Sequence, residues 1–477
     1  MSLRSPSPAV GDLTRLGRRQ SSGRPSDQRS PDHRRLGREL GIFTGDELIG
    51  AGFPLWLPDG ATVIAELERF VIELERRSGY RHVRTPPVGR RELYERSGHW
   101  AHFAADMFPP IPVGGGRGLS PGSGADDRTG ENDRGAGDDT SLSGKDHGRD
   151  GAREDLVLRP VLCPHHALVY RSRLRSHRDL PLRVGECGQM FRMERSGVVT
   201  GLSRVRCINL NDGHIFCAPE QAVDEVARVL ALIDEAYDVL GIEAAYLRLS
   251  LRGPDEDGMS FAPGDAMWQA AEGILRQTLD RHGLPFQEAP GEAAFYGPKI
   301  DVQVYDVQGR EFTLSTVQVD LYQPQRFELE FVAPDGSRSR PVMVHRSVLA
   351  SMERMVAFLL ERYAGALPPW LAPLQVLVLP VSADELEWAC AVARMAEAAG
   401  LRVDVDDREE SLAARIRDAH VAKVPYVAVV GPTEVASGAV APRLRGGRNA
   451  GVLPADRFVA AVRAVVATRR SDVTLDV

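Results

Sequence analysis

The chain is 477 residues long, 43% hydrophobic and 26% charged, with a formal net charge of −7. That length accommodates two or three domains with separate cores, and the charge balance excludes a chain coated in positive charge while leaving room for a local basic patch that meets RNA. Five irregularly spaced cysteines argue against a disulfide framework, and neither a bilayer-spanning run nor a signal-peptide segment is found, so a cytoplasmic enzyme is the expected class.

Residues 1–31, rich in Ser, Pro and Arg, read as a disordered leader. Ile64, Leu67, Phe70, Val71 and Leu74 then recur at helical spacing up to Gly79, and His82 to Pro86 reads as a strand that ends at proline. Residues 109–155, with three Gly-rich clusters among mixed charges, read as a solvated low-complexity insertion. Strands are expected over 183–192 and 202–216, joined by a turn near Ser196-Gly197, and a helix over 220–240 stopped by Gly241. Strands follow at 299–305, 311–318 and 326–332, and residues 342–363 turn from strand to helix. Helices around a mostly antiparallel sheet give an α+β domain over 32–369. From 370 to 477 short strands and helices alternate, as in a small α/β domain.

Cys163, His214 and His345 stand in distinctive runs: Leu162-Cys163-Pro164-His165-His166, Asp212-Gly213-His214-Ile215-Phe216-Cys217 and Pro341-Val342-Met343-Val344-His345-Arg346. One thiolate and two imidazoles suit a zinc ion with a fourth position open to substrate. A closed structural site that recruits Cys217 or His166 is the alternative. Arg192, Glu194, Arg204, Arg206 and Arg354 form a second group, able to hold a triphosphate by bidentate hydrogen bonds and charge. No GxxxxGK[ST] run exists, so a nucleotide site must be of another kind.

With these motifs the chain resembles the threonyl-tRNA synthetases, a family of class II aminoacyl-tRNA ligases. Val83-Arg84-Thr85-Pro86 is similar to the first class II motif, Phe191 to Glu194 with Arg204 to the second, and Val344-His345-Arg346 to Arg354 to the third. Ser97-Gly98-His99-Trp100 and Ala294-Phe295-Tyr296-Gly297-Pro298-Lys299 also follow the family pattern, and the likeness covers about residues 32–108 and 156–470. It implies a class II catalytic domain on an antiparallel sheet, an anticodon-binding α/β domain, a homodimer, and ATP-dependent adenylation of threonine with transfer to tRNA(Thr). Cys163, His214 and His345 would hold zinc; Arg192, Arg204 and Arg354 would act on magnesium-bound ATP; Glu194 would read adenine. Asp212, Tyr296, Lys299 and Gln318 complete the substrate-binding set, and Glu434 and Arg443 fall where anticodon bases are read.

Several positions depart from the family pattern. Ile208 stands for an adenine-stacking phenylalanine, at a cost of about 1 kcal/mol. Leu210 and Thr313 stand for glutamines, Leu162 for an asparagine, and Ala350 and Cys207 for glycines. The family's N-terminal editing region is not matched, so no editing in cis is expected. Two other readings stay open: adenylation for an acceptor other than tRNA, and a catalytically weak tRNA-binding or regulatory paralogue.

Overall fold

Val63, Leu67, Phe70, Val71 and Leu74 bury one face of α1 (Pro58–Arg77), which opens on a proline in its first turn and carries Asp59 there and Arg76 and Arg77 in its last. Acid at the start and base at the end oppose the helix dipole, and Gly79, at φ 82°, turns the chain out of the helix. The structure is a computed structural model and describes Leu13, Leu16 and residues 31–113, 154–254 and 261–475. Most of the expected leader lies outside the described residues, but Leu13 and Leu16 are buried in the apolar core of the larger unit, which corrects the expectation for those two.

Behind α1 stands an eight-stranded sheet. Its members are β1 (Arg81–His82), β2 (Leu182–Phe191), β3 (Cys207–Cys217), β4 (Tyr246–Leu251), β5 (Phe286–Pro290), β6 (Lys299–Tyr305), β7 (Glu311–Asp320) and β8 (Val342–Ser351). The spatial order is β5-β4-β6-β7-β8-β3-β2-β1, with parallel pairing only at the two edges. The expected α+β architecture on a mostly antiparallel sheet is thus observed. Helices α2 (Cys163–Arg171), α3 (Ala222–Leu240), α4 (Asp265–Arg281) and α5 (Met352–Arg362) flank it. One apolar cluster joins α1, α3, α4 and α5 to the back of the sheet.

Two expected strands differ from the observed ones. Residues 202 and 203 lie in a turn, Arg204 makes only an isolated bridge to Thr200, and β3 begins at Cys207. Residues 326–332 are not one strand: a short helix ends at Arg326, Glu328 takes a left-handed φ of 54°, and only Phe331–Val332 pairs. Phe327, Leu329 and Phe331 are buried as an alternating strand would bury them, but the N–H groups of residues 327–329 return to the preceding helical turn. The ends of the insertion are also ordered: Ile111–Val113 pairs antiparallel with Glu154–Leu158, which in turn pairs with Val88–Arg90. Residues 114–153 lie outside the described residues.

The C-terminal unit is a five-stranded sheet of β9 (Val376–Pro380), β10 (Val403–Val405), β11 (Tyr426–Val430), β12 (Ala439–Leu444) and β13 (Leu453–Pro454), in the order β10-β9-β11-β12-β13. β9 and β11 are buried at every residue because helices cover both faces of the sheet, α6 (Leu386–Ala398) and α9 (Ala455–Ala467) on one side and α7 (Leu412–Val421) on the other; α8 (Pro432–Ser437) links β11 to β12. Arg402 ties this unit to α1 by an ion pair with Glu66 at 2.8 Å. Arg469 pairs with Glu73 and lies over the Phe70 and Trp370 rings.

Candidate active site

Side chains alternate along a strand. On β3, Ile208, Leu210, Asp212 and His214 therefore share one face, and all four line a cavity of about 420 Å³. Cys163 at the start of α2, His345 on β8 and Tyr296 complete one end of that cavity; Arg192, Glu194, Arg204 and Arg354 line the other. Three chain segments far apart in sequence meet here because β8 lies beside β3, with His345 directly opposite His214.

Cys163, His214 and His345 are buried, and each offers one ligand atom within 4.8 Å of the others. Their surroundings select which ring nitrogens remain free. His345 Nε2 is 2.8 Å from Asp320 Oδ2, so it donates there and leaves Nδ1 as an acceptor. His166 Nε2 is 3.1 Å from Glu186 and its Nδ1 is 2.7 Å from His214 Nδ1; the proton sequence that satisfies both contacts leaves His214 Nε2 as an acceptor. Those two acceptors face each other at 3.0 Å. Two lone pairs at that separation repel unless a cation lies between them, so the donor set fits a zinc ion. Burial pushes the Cys163 thiol well up and the His214 imidazole well down. The neutral imidazole is the ligand form, and a bound cation would offset the penalty on the thiolate. His166 orients His214, and Cys217 packs into the apolar core, so neither joins the cluster.

Asp212 stands beside the cluster, with Oδ2 4.0 Å from His214 Nε2, Oδ1 accepting from Gly213 N–H, and its carboxyl pushed up by burial. Tyr296 stacks on His345 at 4.8 Å and donates its hydroxyl to Gln318 Oε1 at 2.6 Å. Arg192 lies over the Phe103 ring, and its buried Nε has no hydrogen-bond partner among the described residues. Glu194 pairs with Arg204 at 2.8 Å, and Arg206 holds the Glu194 carbonyl.

Other expected residues lie elsewhere. Lys299 stands opposite Gln318, which lines the cavity, and so faces the same side of the sheet one strand further out; its Nζ is held at 2.9 Å by the buried Asp301, which Arg248 and Ser250 also contact. Glu434 caps α8 by accepting the Gly431 N–H at 3.0 Å, and Arg443 sits half-buried on β12. His99, quoted only as part of a run, is buried with Nδ1 2.8 Å from Ser97 Oγ and Nε2 3.8 Å from Cys163 Sγ; burial pushes it down to about 3. Asp320 and Glu186 were missed as well, and His166 was named only as an alternative ligand. Alternation through Thr316, Gln318 and Asp320 was the available signal for the first, but only the pairing of β7 with β8 gives it meaning.

Residues 147–363 match the tRNA synthetase class II core domain (G, H, P, S and T), and residues 375–465 match an anticodon-binding domain. The fold superposes with a TM-score of 0.78 on the crystal structure of the RNA-binding domain of threonyl-tRNA synthetase from Cryptosporidium parvum Iowa II, at 30% identity over 91% of this chain and 98% of that one. The chain belongs to the threonyl-tRNA synthetase family. It is 45% identical to a threonine–tRNA ligase of Halalkalibacterium halodurans over 90% of this chain, and 43% identical to threonine–tRNA ligase 1 of Bacillus subtilis over the same share. It spans 60% and 61% of the lengths of those two relatives. No helix among the described residues is long and apolar enough to cross a membrane.

Proposed function

We propose that the chain is a threonine–tRNA ligase: it adenylates threonine in the cavity between β3, β7 and β8 and transfers it to tRNA(Thr), acting in the cytoplasm as a homodimer. The observation that carries this reading is one continuous cavity with a three-ligand cluster at one end and four guanidinium or carboxylate side chains of the second and third class II motifs at the other.

Cys163, His214 and His345 would hold zinc, which supplies a Lewis-acid anchor for an amine and a β-hydroxyl. Asp212, on the cavity wall, would accept a hydrogen bond from that hydroxyl, and the Tyr296–Gln318 pair would close the side of the amino-acid pocket. Arg192, with its buried Nε free, would hold the α-phosphate while Arg204 and Arg354 neutralise the rest of a magnesium-bound triphosphate. Glu194 would read adenine after exchanging its present partner Arg204. Attack of a carboxylate on phosphorus needs this positioning and charge neutralisation more than a strong base. The C-terminal unit, with Glu434 and Arg443, would bind the anticodon.

Pyrophosphate exchange with threonine, serine and valine, followed by charging of tRNA(Thr), tests the proposal. Threonine and serine should both support exchange, and valine should fall on the order of 10⁴-fold below threonine, since it leaves a polar site unfilled. Exchange with valine equal to that with threonine, or none with threonine, would refute it.

A further inference from the structure

The face of β3 turned away from the cavity carries a buried polar layer that neither the cluster nor the phosphate arginines use. Asn209, Asn211 and Gly213 alternate there with Leu210 and Asp212. Asn211 is fully buried. Its amide nitrogen donates to Glu75 Oε1 at 2.8 Å, and its Oδ1 accepts from the N–H groups of Val348 (3.3 Å) and Leu349 (3.4 Å). Both N–H groups lie where the pairing of β8 with β3 slips between Ser347 and Ser351. Ala350, next in line, holds a φ of 54° and lines the cavity; among the described residues it is the one non-glycine with positive φ inside a strand. A strained residue of this kind persists only where its surroundings impose it. Ser351 then caps α5 by accepting the Arg354 N–H at 3.1 Å. The same helix is tied to β3 once more, Glu353 accepting both the backbone N–H and the side-chain amide of Asn209.

We propose that Asn211 is a positioning residue of the ATP site: its amide oxygen holds the irregular turn of β8 that sets the start of α5 and thereby places Arg354. Glu75 fixes the orientation of the amide, because a carboxylate can accept only from Nδ2, which directs Oδ1 to the two backbone N–H groups. The inference rests on the proposed function in taking Arg354 as a triphosphate ligand; Asn211 itself touches no substrate.

The test is equilibrium binding of Mg·ATP and, separately, of threonine to the full chain and two variants. Asn211→Ala removes the amide oxygen and should weaken ATP binding at least about tenfold, the loss of one buried polar contact, with threonine affinity within about threefold. Asn211→Leu, which fills the space without offering an acceptor, should do the same and serves if the alanine variant does not fold. Unchanged ATP affinity in a folded variant, or equal loss of ATP and threonine binding, would overturn the inference. A parent chain that binds no Mg·ATP overturns the proposed function, and the inference with it.

Discussion

Gly213 lies between two cavity residues, Asp212 and His214, and its own Cα faces the buried layer. A Cβ added there would come within 2.4 Å of Cζ and Nη2 of Arg346 and 2.7 Å of its Nε. This guanidinium cannot step aside: it is 1% exposed, paired with Glu75 at 2.7 Å and stacked on the Tyr80 ring at 4.4 Å. Gly213→Ala therefore forces a choice between two losses. Moving the strand costs about 1–3 kcal/mol in overpacking. Displacing the arginine breaks a buried ion pair, worth about 3–5 kcal/mol when one partner is left uncompensated. The cheaper of the two still costs about 1–3 kcal/mol and shifts the residues on either side, so bound metal should fall along with stability. Urea unfolding of the full chain, read with metal content, measures both. A loss below about 1 kcal/mol with full metal would refute the claim that Arg346 is locked in place.

Gly273, exposed on α4, is the opposite case: nothing lies within 4 Å of an added Cβ. Gly273→Ala should therefore stabilise the chain by about 0.8–1 kcal/mol in the same assay, and destabilisation would show that the helix is misread. Burial pushes Glu353 up from 4.5 to about 7. Because its folded value is raised, the unfolded chain ionises first, and stability should decline as pH rises from about 4.5 to about 7, by an amount on the order of 2–3 kcal/mol. Glu353→Gln should flatten that decline, and an unchanged pH profile of the urea midpoint would contradict it. Cys163→Ala removes the sole sulfur of the cluster; the purified variant should lose its zinc by elemental analysis while keeping its circular dichroism, and full zinc occupancy would point to a different site.

What could be read from the sequence was set by distance along the chain. β6 occupies the expected residues, and α1 matches its apolar spacing, because a period of two or of 3.6 residues is a local property. The Cys163–His214–His345 grouping came from the family pattern, and the fold brings the three together through the β3–β8 pairing. Residues 326–332 misled because burial alternates there while Glu328 breaks the backbone, and no local pattern announces a left-handed glutamate. The setting of Lys299 was not legible for a related reason: its contact with Asp301 is shared with Arg248 and Ser250 of β4, about 50 residues earlier. Of the groups that fix the histidine tautomers, Asp320 and Glu186 carry no motif of their own, and His166 stood in the Cys163 run without a sign that it orients His214. Ala350 was legible as a departure from the family glycine, and the backbone there retains a conformation that glycine adopts without cost.

X-ray absorption at the zinc edge of the purified chain, recorded alone and with threonine or valine, reaches the candidate metal site itself. One sulfur and two imidazole nitrogens should be the protein's share of the first shell, and threonine should change that shell while valine should not. A shell closed by four protein ligands and indifferent to threonine would make the metal purely structural and leave the amino-acid pocket without its anchor.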